Sequence, residues 1–223
     1  MNILVTGASR GIGFELVNHF LNQKHHVIAV SRSTKNLLNI DSEYLTVLEF
    51  DLMSDSYIEL INVVKQKESL DIVINNAGSM LNKPFLQITN KELLDVYNVN
   101  LFAPFKIIRD LYPFLSTKAH VVNISSMGGI QSSVKFPGLS AYSSSKGALT
   151  ILTECLAQEF NNTDIRFNGL ALGAVQTQML EQAFPEYKAD LSAEKMAKFI
   201  YDFAVFQGAF FNGKVLPVSF STP

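Results

Sequence analysis

Seven short runs of apolar and β-branched residues constrain the fold of this chain more than any other feature. They are ILVT (3–6), HVIAVS (26–31), YLTVLEF (44–50), DIVIN (71–75), HVVNIS (120–125), IRFNGLA (165–171) and KVLPVS (214–219). A strand with one face in water alternates apolar and polar residues. A strand covered on both faces has no such need, and most of these runs are continuous. Helical patterns lie between them. One covers residues 12–23, with Ile12, Leu16, Phe20 and Gln23 marking a face; another covers 142–160, with Leu149, Leu152, Leu156 and Phe160 on the buried side. Alternation of this kind predicts an α/β fold: a doubly wound parallel sheet of about seven strands with helices on both faces. Pro217 removes a backbone donor from the last run, which assigns that strand to the sheet edge. No shift in composition marks a linker and no repeat is visible, so residues 1–223 read as a single domain.

Composition narrows the partners. With 48% hydrophobic and 17% charged residues the chain can bury a large core, and a net charge of −2 offers no basic surface for nucleic acid or membrane. The opening MNILVTGAS has neither the basic start nor the apolar stretch of a secretory signal, and no run has the length of a spanning helix. One cysteine, Cys155, rules out an internal disulfide, so the expectation is a cytoplasmic protein. Cys155, three residues after Leu152, reads as core packing. His19, His25, His26 and His120 show no ligand spacing with acids or cysteine, so no metal site is expected.

TGASRGIG (6–13) joins the first strand to the first helix. Glycine-rich turns are common, but this one precedes a helix N-terminus, where free N–H groups and the helix dipole favour an anion and glycine permits close approach. That context predicts a phosphate cradle rather than a plain turn. NNAG (75–78) follows the fourth strand on the same edge of the sheet, and YSSSK places Tyr142 and Lys146 one helical turn apart. A tyrosine beside an ammonium should have a lowered pKa and so be able to exchange a proton with a carbonyl oxygen.

Taken in this order, T-G-x-x-x-G-x-G, NNAG, NISS and Y-x-x-x-K resemble the short-chain dehydrogenase/reductase family over residues 2 to 178. The resemblance implies a Rossmann-type fold and a hydride-transferring oxidoreductase. It implies a catalytic set of Asn100, Ser126, Tyr142 and Lys146, in which Asn100 holds a water for proton relay and the serine contacts the substrate carbonyl. Lys146 would also hold the nicotinamide ribose. The stretch between Ser126 and Tyr142 is longer than in similar proteins, so Ser125 stays open as the alternative. The cofactor would contact Gly7, Ser9, Arg10, Gly11, Ile12 and Gly13 in the turn, Ser31 and Arg32 after the second strand, and Asp51 and Leu52 after the third. Asn76, Ala77 and Gly78, Tyr142 and Lys146, and finally Val175 and Thr177 complete the set. An acid at position 31 would bind an adenosine 2′-hydroxyl; here Ser31 stands there with Arg10 and Arg32 nearby, which favours NADP(H), with NAD(H) the alternative.

The match frays towards the end. Leu172 stands where similar proteins usually have proline, and residues 178–192 make only a short substrate lid, with Met179, Leu180, Phe184 and Tyr187 as its apolar residues. Relatives commonly pair through the helices after the fourth and fifth strands, which implies a homodimer or homotetramer. The expected activity is NADP(H)-dependent interconversion of a small-molecule ketone or aldehyde and its alcohol. The rival reading is a non-catalytic NADP(H) sensor; such proteins often lose the tyrosine or lysine, and this chain keeps both.

Overall fold

The computed structural model describes residues 1–219. Seven strands, β1 (Asn2–Thr6), β2 (His26–Ser31), β3 (Leu45–Glu49), β4 (Leu70–Asn75), β5 (Leu115–Ser126), β6 (Arg166–Leu172) and β7 (Val215–Val218), form one sheet in the order β3-β2-β1-β4-β5-β6-β7. Every pairing is parallel. β7 carries Pro217 and lies at the edge, where a missing donor leaves no ladder bond unmade.

The helices are α1 (Gly11–Asn22), α2 (Ile58–Val64), α3 (Asn90–Tyr97), α4 (Ala103–Leu111), α5 (Ser140–Glu159), α6 (Gln178–Ala183) and α7 (Ala193–Val205). Leu16, Val17 and Phe20 of α1 and Ile200 and Phe203 of α7 pack on one face of the sheet against Ile3, Val5, Ile74 and Val122. Leu60 and Val64 of α2 and Ile107 and Leu111 of α4 cover the other face against Leu4, Ile28, Val73 and Val121. Successive strand residues thus alternate between two apolar layers, which is why the strands read as unbroken apolar runs. Among the described residues no helix is long and apolar enough to cross a membrane.

Three sequence expectations are corrected. α1 ends at Asn22, and Gln23 beyond it is exposed; the buried face runs through Gly13, Leu16, Val17, Phe20 and Leu21. On α5 the buried stripe runs through Tyr142, Ser145, Lys146, Leu149, Thr150, Thr153 and Ala157, leaving Leu152, Leu156 and Phe160 only partly covered. The polar members of that stripe concealed it from a search for apolar spacing. Cys155 lies off the stripe and is exposed, because the leucine from which its position was judged is itself off the buried face.

Candidate active site

All strands point their C-terminal ends to one edge, and the loops that leave them there enclose a cleft of about 1230 Å³. Gly7, Ser31, Asp51, Asn76, Ser126 and Gly173 come from the ends of β1 to β6 in turn and all line it. β1 lies between β2 and β4, so the chain departs in opposite directions on its two sides, and a crevice opens at that point in any open α/β sheet.

The glycine turn is built by close approach. A Cβ on Gly13 would stand 2.2 Å from the Gly7 carbonyl oxygen and 2.5 Å from Asn76 Nδ2, so only glycine fits there. Asn76 Nδ2 donates to the Thr6 and Gly7 carbonyls at 2.9 and 3.3 Å, and the Asn76 and Ala77 N–H groups both donate to Thr6 Oγ1 at 3.1 Å. The segment after β4 is thereby pinned to the turn after β1. The Asn76 side chain works as this clasp, while Ala77 and Gly78 line the cleft beside it.

At the start of α1 the N-cap is Arg10, whose side chain makes no capping bond, and the first turn contains no acid. The leading N–H groups and the positive end of a 12-residue helix therefore face the cleft through Gly11, Ile12 and Gly13. These residues fit a pyrophosphate. Thr177 stands opposite, its Cγ2 3.4 Å from where a Gly11 Cβ would be, and its Oγ1 accepts from Leu180 N at 3.3 Å to cap α6. Val175 lines the cleft nearby.

Towards the β2 and β3 ends, Ser31 Oγ donates to Ser9 Oγ at 2.8 Å, and Asn36 Nδ2 holds the Ser9 carbonyl at 3.0 Å. Arg10 and Arg32 are exposed and line the same end, and Arg10 Nη1 donates to Gln178 Oε1 at 3.3 Å. Asp51 is the acid there. Its Oδ1 accepts from Met53 N at 2.9 Å, and the Leu52 carbonyl accepts from the buried Tyr57 hydroxyl at 2.6 Å.

Tyr142 and Lys146 lie one turn apart on α5, 8% and 3% exposed, and both line the cleft. The Ser126 hydroxyl stands beside the Tyr142 phenol. Burial raises the Tyr142 pKa and Ser126 pulls it back in part. Burial alone pushes Lys146 down to about 8, and its Nζ donates to the Ile124 carbonyl at 2.7 Å. The expectation that the ammonium lowers the phenol is therefore corrected for the protein by itself: desolvation governs Tyr142, and the lysine is directed at a backbone carbonyl.

The two serines separate. Ser125 is 4% exposed, with its Oγ donating to the Lys146 carbonyl at 3.0 Å and paired with Thr150 Oγ1 at 3.2 Å. Ser126, the next residue, is the one beside the phenol, and Gly128 N donates to its Oγ at 3.2 Å. A Cβ on Gly129 would come within 2.7 Å of the Gly147 nitrogen, so glycine here lets the turn after β5 rest directly on the α5 backbone. This contact sets Ser126 against Tyr142 despite the long loop that follows.

Asn100 is fully buried in a π-helical turn (Asn98–Phe102) between α3 and α4. Its Oδ1 accepts from Ser79 N at 2.8 Å, and its Nδ2 donates to the Ser79 carbonyl and Ser145 Oγ, each at 2.9 Å. Ser145 in turn donates to the Tyr142 carbonyl at 2.7 Å. Asn100 thus ties the segment after β4 to the helix that carries the tyrosine. Ser145, Gly129 and Asn36 were not singled out from the sequence. Ser145 lies inside YSSSK on the face of Tyr142, and that spacing was its one available signal. Among the described residues no cluster of three His, Cys, Asp or Glu side chains suits a metal.

A phosphate cradle and a buried Tyr–Lys–Ser group sharing one cleft of a doubly wound sheet define a nucleotide-cofactor-dependent oxidoreductase. Comparison with known proteins agrees. The short chain dehydrogenase family model matches residues 1–188, and the chain belongs to that family. Carbonyl reductase [NADPH] 2 of Sus scrofa is 33% identical over 183 residues, covering 80% of this chain and 73% of that protein. A solved 4-hydroxyisoleucine dehydrogenase mutant complexed with NADH and succinate superposes with a TM-score of 0.88 at 28% identity, covering 98% and 97% of the two chains. ElxO with NADP bound superposes at 0.82 and 27% identity, covering 98% and 96%. The protein is an oxidoreductase of this family.

Proposed function

We propose that the enzyme interconverts a small carbonyl compound and its alcohol, with NADP(H) preferred over NAD(H). The observation that carries this reading is the buried Tyr142 phenol with Ser126 at its hydroxyl and Lys146 one turn on, facing the cleft that holds the uncapped α1 terminus. A bound nicotinamide supplies or accepts the hydride. Ser126 polarises the carbonyl oxygen by hydrogen bonding where negative charge develops. Tyr142, whose raised pKa keeps it protonated at neutral pH, donates its proton to that oxygen and retrieves it in the reverse direction. Lys146 would hold the ribose of the bound nucleotide, and Asn100 would hold a water that relays the tyrosine proton to solvent. Arg10 and Arg32, with Ser31 in place of an acid, support the preference for a 2′-phosphate.

Tyr142→Phe tests the assignment. It removes the proton donor alone, so carbonyl reduction should fall by roughly 10²–10⁴-fold. NADPH binding, followed by nicotinamide fluorescence, should stay within about twofold, an interaction change well under 1 kcal/mol. A variant that reduces its substrate at the wild-type rate overturns the role of Tyr142.

A further inference from the structure

The two ends of the cleft differ in charge, and from this difference we infer that the site takes an uncharged, largely apolar carbonyl compound and rejects carboxylates and phosphates. The inference rests on the carbonyl–alcohol reading above. Arg10 and Arg32 line the end formed by the glycine turn and β2. The other end, beyond Tyr142, is walled by Met80 and Leu81 after β4, Phe136 before α5, and Met179, Leu180 and Phe184 of the lid. Its other polar side chains include the neutral Asn82 and Gln182.

Among the described residues, no lysine or arginine from the surrounding loops lines this wall, and the cation nearest it is Lys146, whose Nζ and the Met179 Cε both lie within 3.8 Å of where a Gly78 Cβ would be. Lys83 is committed to both carboxylate oxygens of Glu92, at 2.7 and 2.9 Å. Lys135 donates to the Ile130 and Ser133 carbonyls at 2.7 and 3.1 Å. Neither lines the cleft, whereas an acid, Asp95, paired with Lys91, does. An anionic substrate group here would lose its water, find Lys146 already committed to the Ile124 carbonyl and Lys91 to Asp95, and meet a carboxylate of its own sign. An alkyl or aryl group would instead bury its surface against thioether, leucine and phenylalanine side chains, which accommodate varied shapes. Specificity then comes from the lack of an uncommitted cation as much as from the apolar contacts.

The test compares a long-chain methyl ketone with the same ketone ending in a carboxylate. Two measurements are made: kcat/KM of the wild-type enzyme with NADPH, and binding of each ketone to NADPH-loaded Tyr142→Phe protein by thermal shift. The neutral ketone is expected to be favoured by about tenfold or more in both, the scale at which an unpaired buried charge discriminates. Leu180→Arg, which sets a cation in the wall, should move the preference towards the carboxylate by a similar factor. Equal or tighter binding of the carboxylate by the unmodified wall overturns the inference, and so does failure of the protein to bind either ketone. Preferential binding of the neutral ketone without its reduction by the wild-type enzyme leaves the inference standing and overturns the carbonyl–alcohol reading instead.

Discussion

Burial acts on Tyr142 and Lys146 in opposite senses, because one is charged when it loses a proton and the other when it gains one. The lysine carries a stability consequence with a definite sign. Its pKa is about 8 in the folded chain against 10.5 ordinarily, so below pH 8 both states hold the proton and folding bears the full penalty of a buried charge. Between pH 8 and 10 the folded state releases the proton that the unfolded state keeps, and stability rises. Relative to Lys146→Met, the wild-type protein without cofactor should therefore gain about 2 kcal/mol across this window in denaturant titrations. A difference that stays flat would show that Lys146 is not desolvated. Tyr142 has the opposite sign: its folded pKa lies above 10, so its stability is lost only at higher pH and does not enter the window. The proposed preference for NADP(H) is tested at a single side chain. On that proposal Arg32→Ala would remove the charge offered to a 2′-phosphate, and should weaken NADPH by about tenfold with little effect on NADH. Equal losses for both nucleotides would move the discrimination away from Arg32.

Among the elements, α6 meets the rest of the site through side-chain bonds from Arg10 to Gln178 and from Asn82 to Ala183. Asn82 Nδ2 donates to the Ala183 carbonyl at 2.8 Å, and Lys83 N donates to the Gly138 carbonyl at 3.0 Å. The loop after β4 thus joins both the lid and the loop before α5. Asn82 is exposed, so the link is worth an ordinary hydrogen bond, about 1 kcal/mol. Asn82→Ala should accordingly raise KM for the carbonyl substrate by roughly fivefold. It should also speed proteolysis within 178–192 and leave NADPH affinity unchanged. Unaltered KM and proteolysis would mean that the lid is held elsewhere. The strands were legible in the sequence because both their faces are apolar, and the glycine turn was legible because strand and helix patterns flank it. The working face of α5 was not. Ser145, Lys146, Thr150 and Thr153 are paired with Asn100, the Ile124 carbonyl, Ser125 and Asn123, and such satisfaction depends on partners distant in sequence. Choosing between Ser125 and Ser126 required the same knowledge, since adjacent strand residues face opposite ways and only the structure shows which way faces the tyrosine.

Over the whole molecule, the parallel sheet gathers every functional loop at one edge and leaves the outer sides of its covering helices free for other contacts. Phe102 and Phe105, at 41% and 47% exposure, lie at and just beyond the start of the helix after β4, and Ile151, at 58%, projects from the helix after β5. Single exposed apolar residues are ordinary on a soluble surface. These lie on the helices after β4 and β5, where the family resemblance leads us to expect pairing, and a second copy of this chain is the proposed cover. Cys155 follows Ile151 by one helical turn and is exposed in the single chain, which makes it a reporter of that contact. Light scattering should find a dimer or tetramer. The double substitution Phe105→Glu with Ile151→Glu should give a monomer that still binds NADPH, because neither residue lines the cleft. In the assembled protein the Cys155 thiol should react with a disulfide reagent at least about tenfold more slowly than in that monomer, since reaction needs access to the sulfur. A wild-type protein that is monomeric at tens of micromolar, with a freely reactive Cys155, would leave these helix faces to solvent and remove the case for pairing through them.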